Sequence, residues 1–197
     1  MISPYKSNFR VTSPQSASRT VLGLTAPHNG IDLVGVSKAI YAVSAGTVVK
    51  SEIITNRAIP EWQFGNRVWV RDNEGKIVCY NHLSTRRVSV GQAVSVGDLI
   101  GVEGATGRVT GSHLHFEVRD RLGAGFRNFS AAGYLGIPNA TGLIVLDKPD
   151  SDGLDDVLKQ VADKAKFDQP AAALTAMKTL KHRFPKDFWD KILGGMK

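Results

Sequence analysis

One short segment near the middle of the sequence constrains the fold more than any other. From His113 to Val118 polar and apolar residues alternate, which is the period-two pattern of a half-buried β-strand. Side chains two residues apart lie on the same face of a strand, so His113, His115 and Glu117 face one way. The apolar residues between them face the other way and need a core to pack against. The segment therefore predicts a strand that carries two neighbouring imidazoles above a hydrophobic core.

Two interpretations of this His-x-His pattern are open. A surface strand that carries two histidines by chance is the simpler one. A metal site is the other, because neutral imidazole is a common protein ligand for zinc. The pattern by itself is weak evidence, and a third ligand elsewhere in the sequence, preferably a carboxylate, would strengthen it considerably.

The composition is that of an ordinary globular protein. Of the 197 residues 42% are hydrophobic and 22% are charged, which suits one medium domain, or one domain with a small appendage. There is no run of about 18 apolar residues, so we predict no membrane insertion. The single cysteine, Cys79, excludes an internal disulfide and a cysteine-based zinc site. It lies in an apolar segment, where we expect a small buried hydrophobe.

The formal net charge of +7 favours a polyanionic partner. Nucleic acid, a membrane surface and an anionic bacterial wall polymer all meet that description. The basic residues are scattered, and the sequence has neither a basic helix nor aromatic stacking platforms. We therefore predict no nucleic-acid partner, and an anionic wall explains the charge equally well.

A carboxylate with suitable spacing occurs near the start of the chain. His28 and Asp32 flank Asn29-Gly30, and Asn-Gly is a strong turn signal, so the imidazole and the carboxylate can return toward one point. An ordinary hairpin with polar decoration is the alternative. Farther along, His82 ends the apolar segment 77–82.

Short strand patterns and glycines fill the region between these motifs. Residues 38–50 predict a pair of short strands, and residues 67–71 and 77–82 predict two strands joined by a hairpin turn. The loop 51–66 is a candidate wall of a substrate groove. Paired valines and glycines in 88–101 have the rhythm of a compact barrel or sandwich. The fold prediction is a mainly β, compact antiparallel sheet or barrel-like domain.

The character of the sequence changes after residue 147. Residues 148–153 are typical of a linker, and the apolar residues beyond them follow helical spacing. We predict a domain over residues 1–147 and a small α-helical C-terminal unit over 148–197. That unit is either a wall-binding or assembly module or a plain stabilising tail. His182 lies in it and is interpreted as a surface residue.

The remaining histidines and Asp32 form a candidate constellation for catalysis. Catalytic zinc takes three protein ligands and leaves a fourth position for water, whose pKa it lowers toward ~7. His28, Asp32 and one histidine of the central strand would supply the ligands. The other histidine of that strand and His82 are candidates for proton transfer and oxyanion stabilisation. A structural zinc would use all four positions, so two spare histidines favour chemistry.

The order and spacing of these motifs resemble a known family. His-x-x-x-Asp, Tyr-Asn-His-Leu-Ser at 80–84, the glycine-punctuated segment 90–101 and Thr-Gly-Ser-His-Leu-His-Phe-Glu-Val at 110–118 are similar to the lysostaphin-type (LytM-type) zinc metallopeptidases. The resemblance covers roughly residues 15–122. Members of that family are peptidoglycan endopeptidases, which cut peptide bonds in the stems or cross-bridges of bacterial walls.

Carried over to this sequence, the resemblance implies a set of roles. His28, Asp32 and His115 would bind one zinc ion. His82 and His113 would be the catalytic pair, one activating water and the other stabilising the oxyanion. The resemblance does not assign the two roles to the two residues. Glu117 either orients a ligand through its second ring nitrogen or is an ordinary surface glutamate, and the second interpretation is favoured.

The resemblance has departures and rivals. The family's Phe-Gly-x-Arg is reduced to Ser16-Ala17-Ser18-Arg19, and the helical tail matches none of the usual wall-binding modules. The first residues lack a signal peptide, so the expectation is a phage or prophage endolysin that passes from host cytoplasm to wall through a holin-type pore, or a virion-associated enzyme. A non-catalytic regulator of another hydrolase would lose zinc ligands, whereas this chain keeps them. A cupin-like metal-binding barrel is another rival, because it also has His-x-His on a strand. Its glutamate, however, follows the second histidine at a longer sequence spacing than Glu117 follows His115. The bond cut, the host and the oligomeric state are undetermined.

Overall fold

An eight-stranded sheet frames the part of the chain that the computed structural model describes, residues 3–21 and 23–146. A three-stranded and a two-stranded sheet accompany it, and every strand pairing is antiparallel. The mainly β, antiparallel architecture predicted from the sequence is confirmed. The strands are β1 Phe9–Ser13, β2 Ser16–Val21, β3 Leu24–His28, β4 Ile31–Gly35, β5 Ala39–Tyr41, β6 Gly46–Glu52, β7 Arg67–Asp72, β8 Ile77–Asn81, β9 Thr85–Arg86, β10 Ala93–Val94, β11 Leu99–Val102, β12 Leu114–Arg119 and β13 Gly142–Ile144. A 3₁₀ helix spans Pro60–Phe64, and a short helix, α1, spans Ala131–Leu135.

The order of strands in the large sheet places the candidate ligands next to each other. The order is β10-β6-β7-β8-β12-β4-β1-β13, so β12 lies between β8 and β4. In this register His115 is opposite Asn81 of β8 and opposite Asp32 of β4. Two segments far apart in sequence thus bring an imidazole and a carboxylate side by side.

Strand β12 is the predicted central strand, but it is buried on both faces. Leu114, Phe116 and Val118 belong to the main hydrophobic cluster, as the alternation predicts. The opposite face, with His115 and Glu117, is buried as well. The prediction of a half-buried strand was therefore wrong for the polar face, because the loops around the site cover it.

Two pairs of successive strands do not pair with each other. Strands β3 and β4 do not form a hairpin, because β3 pairs with β2 while β4 pairs with β1 and β12. Residues 38–50 contain two short strands, as predicted, but β5 pairs with β11, and β6 pairs with β7 and β10. The predicted hairpin between β7 and β8 is present, and Cys79 in β8 is fully buried, as predicted.

Glu103, which the sequence analysis missed, is a buried carboxylate that connects the site to the rest of the domain through hydrogen bonds. Glu103 accepts hydrogen bonds from Tyr5 Oη at 2.7 Å, Gly35 N at 3.0 Å and Ser112 Oγ at 3.0 Å. Lys38 Nζ adds an ion pair at 2.6 Å. Glu103 thus connects the N-terminal segment and β4 to the residue that precedes His113.

We expect Glu103→Ala to lower the free energy of unfolding by about 2–4 kcal/mol, since it leaves buried donors without an acceptor. Urea unfolding followed by circular dichroism measures the change. Glu74→Ala is the matched control because Glu74 is exposed and pairs with Lys76 at the surface. Equal effects of the two substitutions would contradict a structural role for Glu103.

The C-terminal prediction lies outside the described residues. The helical unit over 148–197, with His182, and the domain boundary after residue 147 therefore stay predictions. Among the helices of the described segments, none combines the length and apolar character needed to cross a membrane.

Candidate metal centre

Three predicted ligands converge at one end of the large sheet. His28 ends β3, Asp32 lies in β4 and His115 lies in β12, and all three are buried. His28 Nε2 is 3.0 Å from Asp32 Oδ1 and 3.1 Å from His115 Nδ1, and His115 Nδ1 is 2.9 Å from Asp32 Oδ1. The Asn-Gly turn does bring His28 back to Asp32, although it does not form a hairpin.

The tautomer of His28 shows why this cluster calls for a cation. Its Nδ1 is 2.7 Å from the carbonyl oxygen of Pro14, which can only accept, so Nδ1 carries the proton. Nε2 therefore presents a lone pair to the carboxylate oxygen of Asp32. Acceptor atoms at such short separations repel one another unless a proton or a metal ion lies among them.

The spacing of the three atoms fits a tetrahedral metal ion. Zinc bonds of about 2.0–2.2 Å place neighbouring ligand atoms about 3.3 Å apart. The observed separations of 2.9–3.1 Å are within a few tenths of an ångström of that value. Two imidazoles and one carboxylate also match the donors of catalytic zinc sites, in which a fourth position stays open.

Arg19 holds the second oxygen of the carboxylate ligand. Its Nη1 donates to Asp32 Oδ2 at 2.7 Å and to Ser13 Oγ at 2.6 Å. Burial disfavours the Asp32 charge, but the hydrogen bond from His115 and the charge of that ring outweigh it and hold the pKa of Asp32 well below its usual range. Although the segment 16–19 departs from the family pattern, its arginine still contacts the ligand, and Oδ1 is left for a metal.

Glu117 is not the surface residue that the sequence interpretation favoured. Its side chain is fully buried, and its Oε2 lies 3.7 Å from His115 Nε2, the ring nitrogen directed away from Asp32. Arg119 donates two hydrogen bonds to Glu117, at 2.8 and 2.7 Å, and its guanidinium lies 3.8 Å from the Phe126 ring centroid. The loop that follows β12 thus covers the pair, and Glu117 is placed to orient the ligand through its second nitrogen.

A proton on His115 competes with metal for the same lone pair. Burial disfavours the charged ring, but the carboxylates of Asp32 and Glu117 outweigh it and raise the pKa of His115 to about 9 in the metal-free protein. A metal ion can bind Nδ1 only after that proton leaves.

We therefore expect apparent zinc affinity to fall about tenfold for each pH unit below the pKa of His115. Titration against a competing chelator between about pH 7 and about pH 8.5 measures the slope, in a range above the ordinary titration of histidine. His115 is protonated at the lower end, so affinity must rise with pH. An affinity that does not change with pH would mean that His115 holds no displaceable proton.

The two predicted catalytic histidines lie beside the ligands. His82 follows β8, and its ring centroid is 4.8 Å from that of His113 and 5.8 Å from that of His115. His113 precedes β12, with Nε2 3.5 Å from Asp32 Oδ1. The Nδ1 atoms of both rings are 2.9 Å from backbone carbonyl oxygens, of Thr106 and Gly111 respectively. Each Nδ1 therefore carries a proton, which leaves Nε2 available for chemistry.

The backbone and burial of His82 are unusual. Its φ of 64° is the only positive value at a non-glycine residue in the described segments. Burial, with the charges of His115 and His113, lowers its pKa to about 3, so the ring is neutral. Neither histidine reveals by geometry alone whether it is the base or the oxyanion donor.

A groove of about 500 Å³ adjoins the centre. Its lining includes His28, His82 and His115. It also includes part of the predicted wall loop 51–66, namely Pro60, Glu61, Gln63 and Phe64. Trp69, Arg67 and Arg119 also line it, and the sequence analysis had not assigned these three to the site. The alternation of Arg67, Trp69 and Arg71 with valines was the available signal, but it does not show which face meets the groove.

Comparison with known proteins agrees with this geometry. Residues 26–125 match Peptidase family M23. The peptidoglycan DD-endopeptidase ShyC of Vibrio cholerae is 41% identical over 99 residues, which are 49% of this chain and 21% of that protein. ShyA, a peptidoglycan DD-endopeptidase of the same organism, is 37% identical over 118 residues, 58% of this chain and 26% of that protein.

A solved structure agrees as well. The catalytic domain of the antimicrobial peptidase lysostaphin from Staphylococcus simulans has a TM-score of 0.54 and 25% identity, covering 64% of this chain and 91% of that domain. The matched segments span about a fifth to a quarter of the length of the two Vibrio relatives. The predicted resemblance is confirmed, and the chain belongs to Peptidase family M23.

Proposed function

We propose that this chain is a zinc-dependent peptidoglycan endopeptidase. The observation that carries the proposal is the convergence of three acceptor atoms, on His28, Asp32 and His115, beside two spare histidines at the end of a groove. Relatives named as peptidoglycan DD-endopeptidases support the same substrate. The net charge of +7 suits an anionic wall.

The residues divide the work of hydrolysis among them. A zinc ion held by His28, Asp32 and His115 would polarise the scissile carbonyl and lower the pKa of water toward ~7. One of His82 and His113 accepts the proton of the attacking water at Nε2 and returns it to the leaving amine. The other must carry a proton at Nε2 to donate a hydrogen bond to the oxyanion. At the start of the reaction one Nε2 must therefore be free to accept a proton, and the other must carry one in addition to the proton on its Nδ1.

The names of the relatives support one of the candidate bonds. Glycyl-glycine bridges, D-alanyl cross-links and other stem bonds are all compatible with the fold. Because ShyC and ShyA are named as DD-endopeptidases, we propose the D-alanyl cross-link as the target.

Wall digestion tests the proposal. Purified sacculi are incubated with protein as prepared, after chelation, and after chelation with zinc restored, and released fragments are identified by mass spectrometry. We expect clearing that chelation stops and zinc restores, with loss of cross-linked dimers. Zinc-loaded protein that releases nothing from several wall chemistries would favour the non-catalytic regulator.

The biological setting is a further proposal that rests on sequence alone. Phage-driven lysis, with release from the host cytoplasm through a holin-type pore, and wall penetration by a virion-borne enzyme both use a wall endopeptidase. Detection of the protein in purified virions would support the second setting. Expression with and without a holin, followed by culture turbidity, tests the first.

A further inference from the structure

Three cationic side chains that line the groove surround the indole ring of Trp69. The Trp69 ring centroid has Lys50 Nζ at 5.2 Å, the Arg67 guanidinium at 4.7 Å and the Arg119 guanidinium at 4.6 Å. Arg67 and Arg119 are each only 3% exposed, yet both line the groove. Such buried guanidinium groups need anionic partners to offset the cost of desolvation.

Their partners within the protein leave one end of each guanidinium available. Arg67 directs Nε and Nη2 to Glu52 Oε2, at 2.7 and 2.6 Å. Arg119 directs Nε and Nη2 to Glu117. Among the described residues neither Nη1 has a hydrogen-bond partner, and neither is among the buried atoms that lack one. Each Nη1 therefore keeps a small exposed surface, and the groove is the cavity that these residues line.

The charge of the lining also favours an anion. Five cationic side chains line the groove, against two carboxylates, Glu61 and Glu117. Glu117 is already occupied by Arg119 and His115. A guanidinium matches a planar carboxylate geometrically, and partial burial strengthens the pairing.

The sheet register gives the separation of Arg67 and His115 along the sheet. Arg67 is opposite Glu52 of β6, and continuing the β7–β8 ladder beyond Val68 and Tyr80 places Arg67 opposite Asn81. Asn81 is in turn opposite His115. Two strand spacings of about 4.8 Å separate Arg67 from His115, so their Cα atoms lie about 10 Å apart. An extended peptide covers that distance in about three residues.

We propose that Arg67 and Arg119 form a subsite for a free carboxylate of the substrate peptide, about three residues from the bond cleaved. This inference rests on the proposed function and deepens it: Arg67 is a specificity-determining residue that separates acidic wall peptides from amidated ones. The side chain of Glu52 is 40% exposed and already pairs with Arg67. The substrate carboxylate would therefore bind a guanidinium that Glu52 also contacts.

Matched substrates test the subsite. The full chain, loaded with zinc, is given a purified cross-linked muropeptide dimer with free carboxylates and the same dimer converted to carboxamides. We expect wild type to show a KM about tenfold lower for the free-carboxylate dimer, since a charge-assisted hydrogen bond to the guanidinium is stronger than one from a neutral carboxamide. Calorimetry on zinc-free protein provides the same comparison as Kd, independent of turnover.

Variants then locate the discrimination. Arg67→Gln should bring the ratio of the two KM values toward one, and Arg67→Lys should restore part of it. Glu52→Gln should increase the ratio, because it frees Arg67 while leaving the arginine in place. Arg71→Gln is the control, since Arg71 is an exposed cation on the same strand and does not line the groove.

The outcomes separate the two proposals. Equal KM and Kd for both dimers, or discrimination that survives Arg67→Gln, would overturn the subsite while the peptidase function stands. Cleavage of neither dimer would count against the proposed function, and the Kd comparison would still decide the subsite. Glu52→Gln keeps the test valid if Arg67→Gln fails to fold.

Discussion

Replacing His115 with alanine is expected to remove both zinc and wall hydrolysis. The substitution deletes one of three acceptor atoms that lie 2.9–3.1 Å apart, and two ligands do not retain zinc at a catalytic site. The loss of transition-state stabilisation by the metal amounts to several kcal/mol, so we expect a rate at least about 10³-fold lower. Zinc content after dialysis, by mass spectrometry, and clearing of purified sacculi are the two measurements.

His182→Ala is the matched control, because His182 is the one of the five histidines in the sequence outside the candidate constellation. It should leave zinc content and clearing at wild-type levels. If His115→Ala protein kept stoichiometric zinc and cleared walls, His115 would not be a ligand. Equal loss in both variants would point to a general effect of histidine removal and not to the metal centre.

The sequence identified the chemistry of the site better than its surroundings. The alternation from His113 to Val118 predicts a strand with two imidazoles on one face, and the spacing of His28 and Asp32 adds a carboxylate. These are local patterns, which a single sequence displays. The contact between His115 and Asp32 joins residues 83 positions apart, so it depends on which strands become neighbours in the sheet.

The prediction for Glu117 was wrong for a related reason. Period-two alternation indicates which residues share a face, but it does not reveal what covers that face. Arg119 and Phe126 cover Glu117, and Phe126 comes from the loop after β12. Glu103 was missed similarly, since its partners, among them Tyr5 and Ser112, come from separate parts of the chain.

Strands β3 and β4 follow each other in the sequence but do not pair with each other, because a local turn signal competes with burial in the large sheet. Asn29-Gly30 favours a hairpin, yet β4 joins the large sheet, where β1 and β12 flank it and bury Ile31 and Leu33. Burial of such side chains contributes about 1.5–3 kcal/mol each, which favours a place for β4 inside the large sheet. The chain still bends between β3 and β4, so His28 of the two-stranded sheet contacts Asp32 of the eight-stranded sheet.

Removing either of the two proposed catalytic histidines should have the opposite effect to removing a proposed ligand: zinc stays bound and turnover fails. His113→Ala and a variant of His82 should each lower kcat about 10²–10⁴-fold, the usual contribution of a positioned proton-transfer group or oxyanion donor. Neither ring supplies one of the three converging acceptor atoms, so zinc content should equal that of wild type.

His82 needs a variant that respects its backbone. At a φ of 64°, alanine costs about 1–2 kcal/mol of strain, whereas asparagine adopts this region readily. His82→Asn therefore separates the loss of the imidazole from a loss of fold, and urea unfolding checks that separation. Because the two rings act in the same step of the proposed mechanism, the double variant His82→Asn/His113→Ala should lose little more than the worse single variant. Multiplicative losses would mean that the two histidines act independently, and a single variant within tenfold of wild-type kcat would remove that histidine from the mechanism.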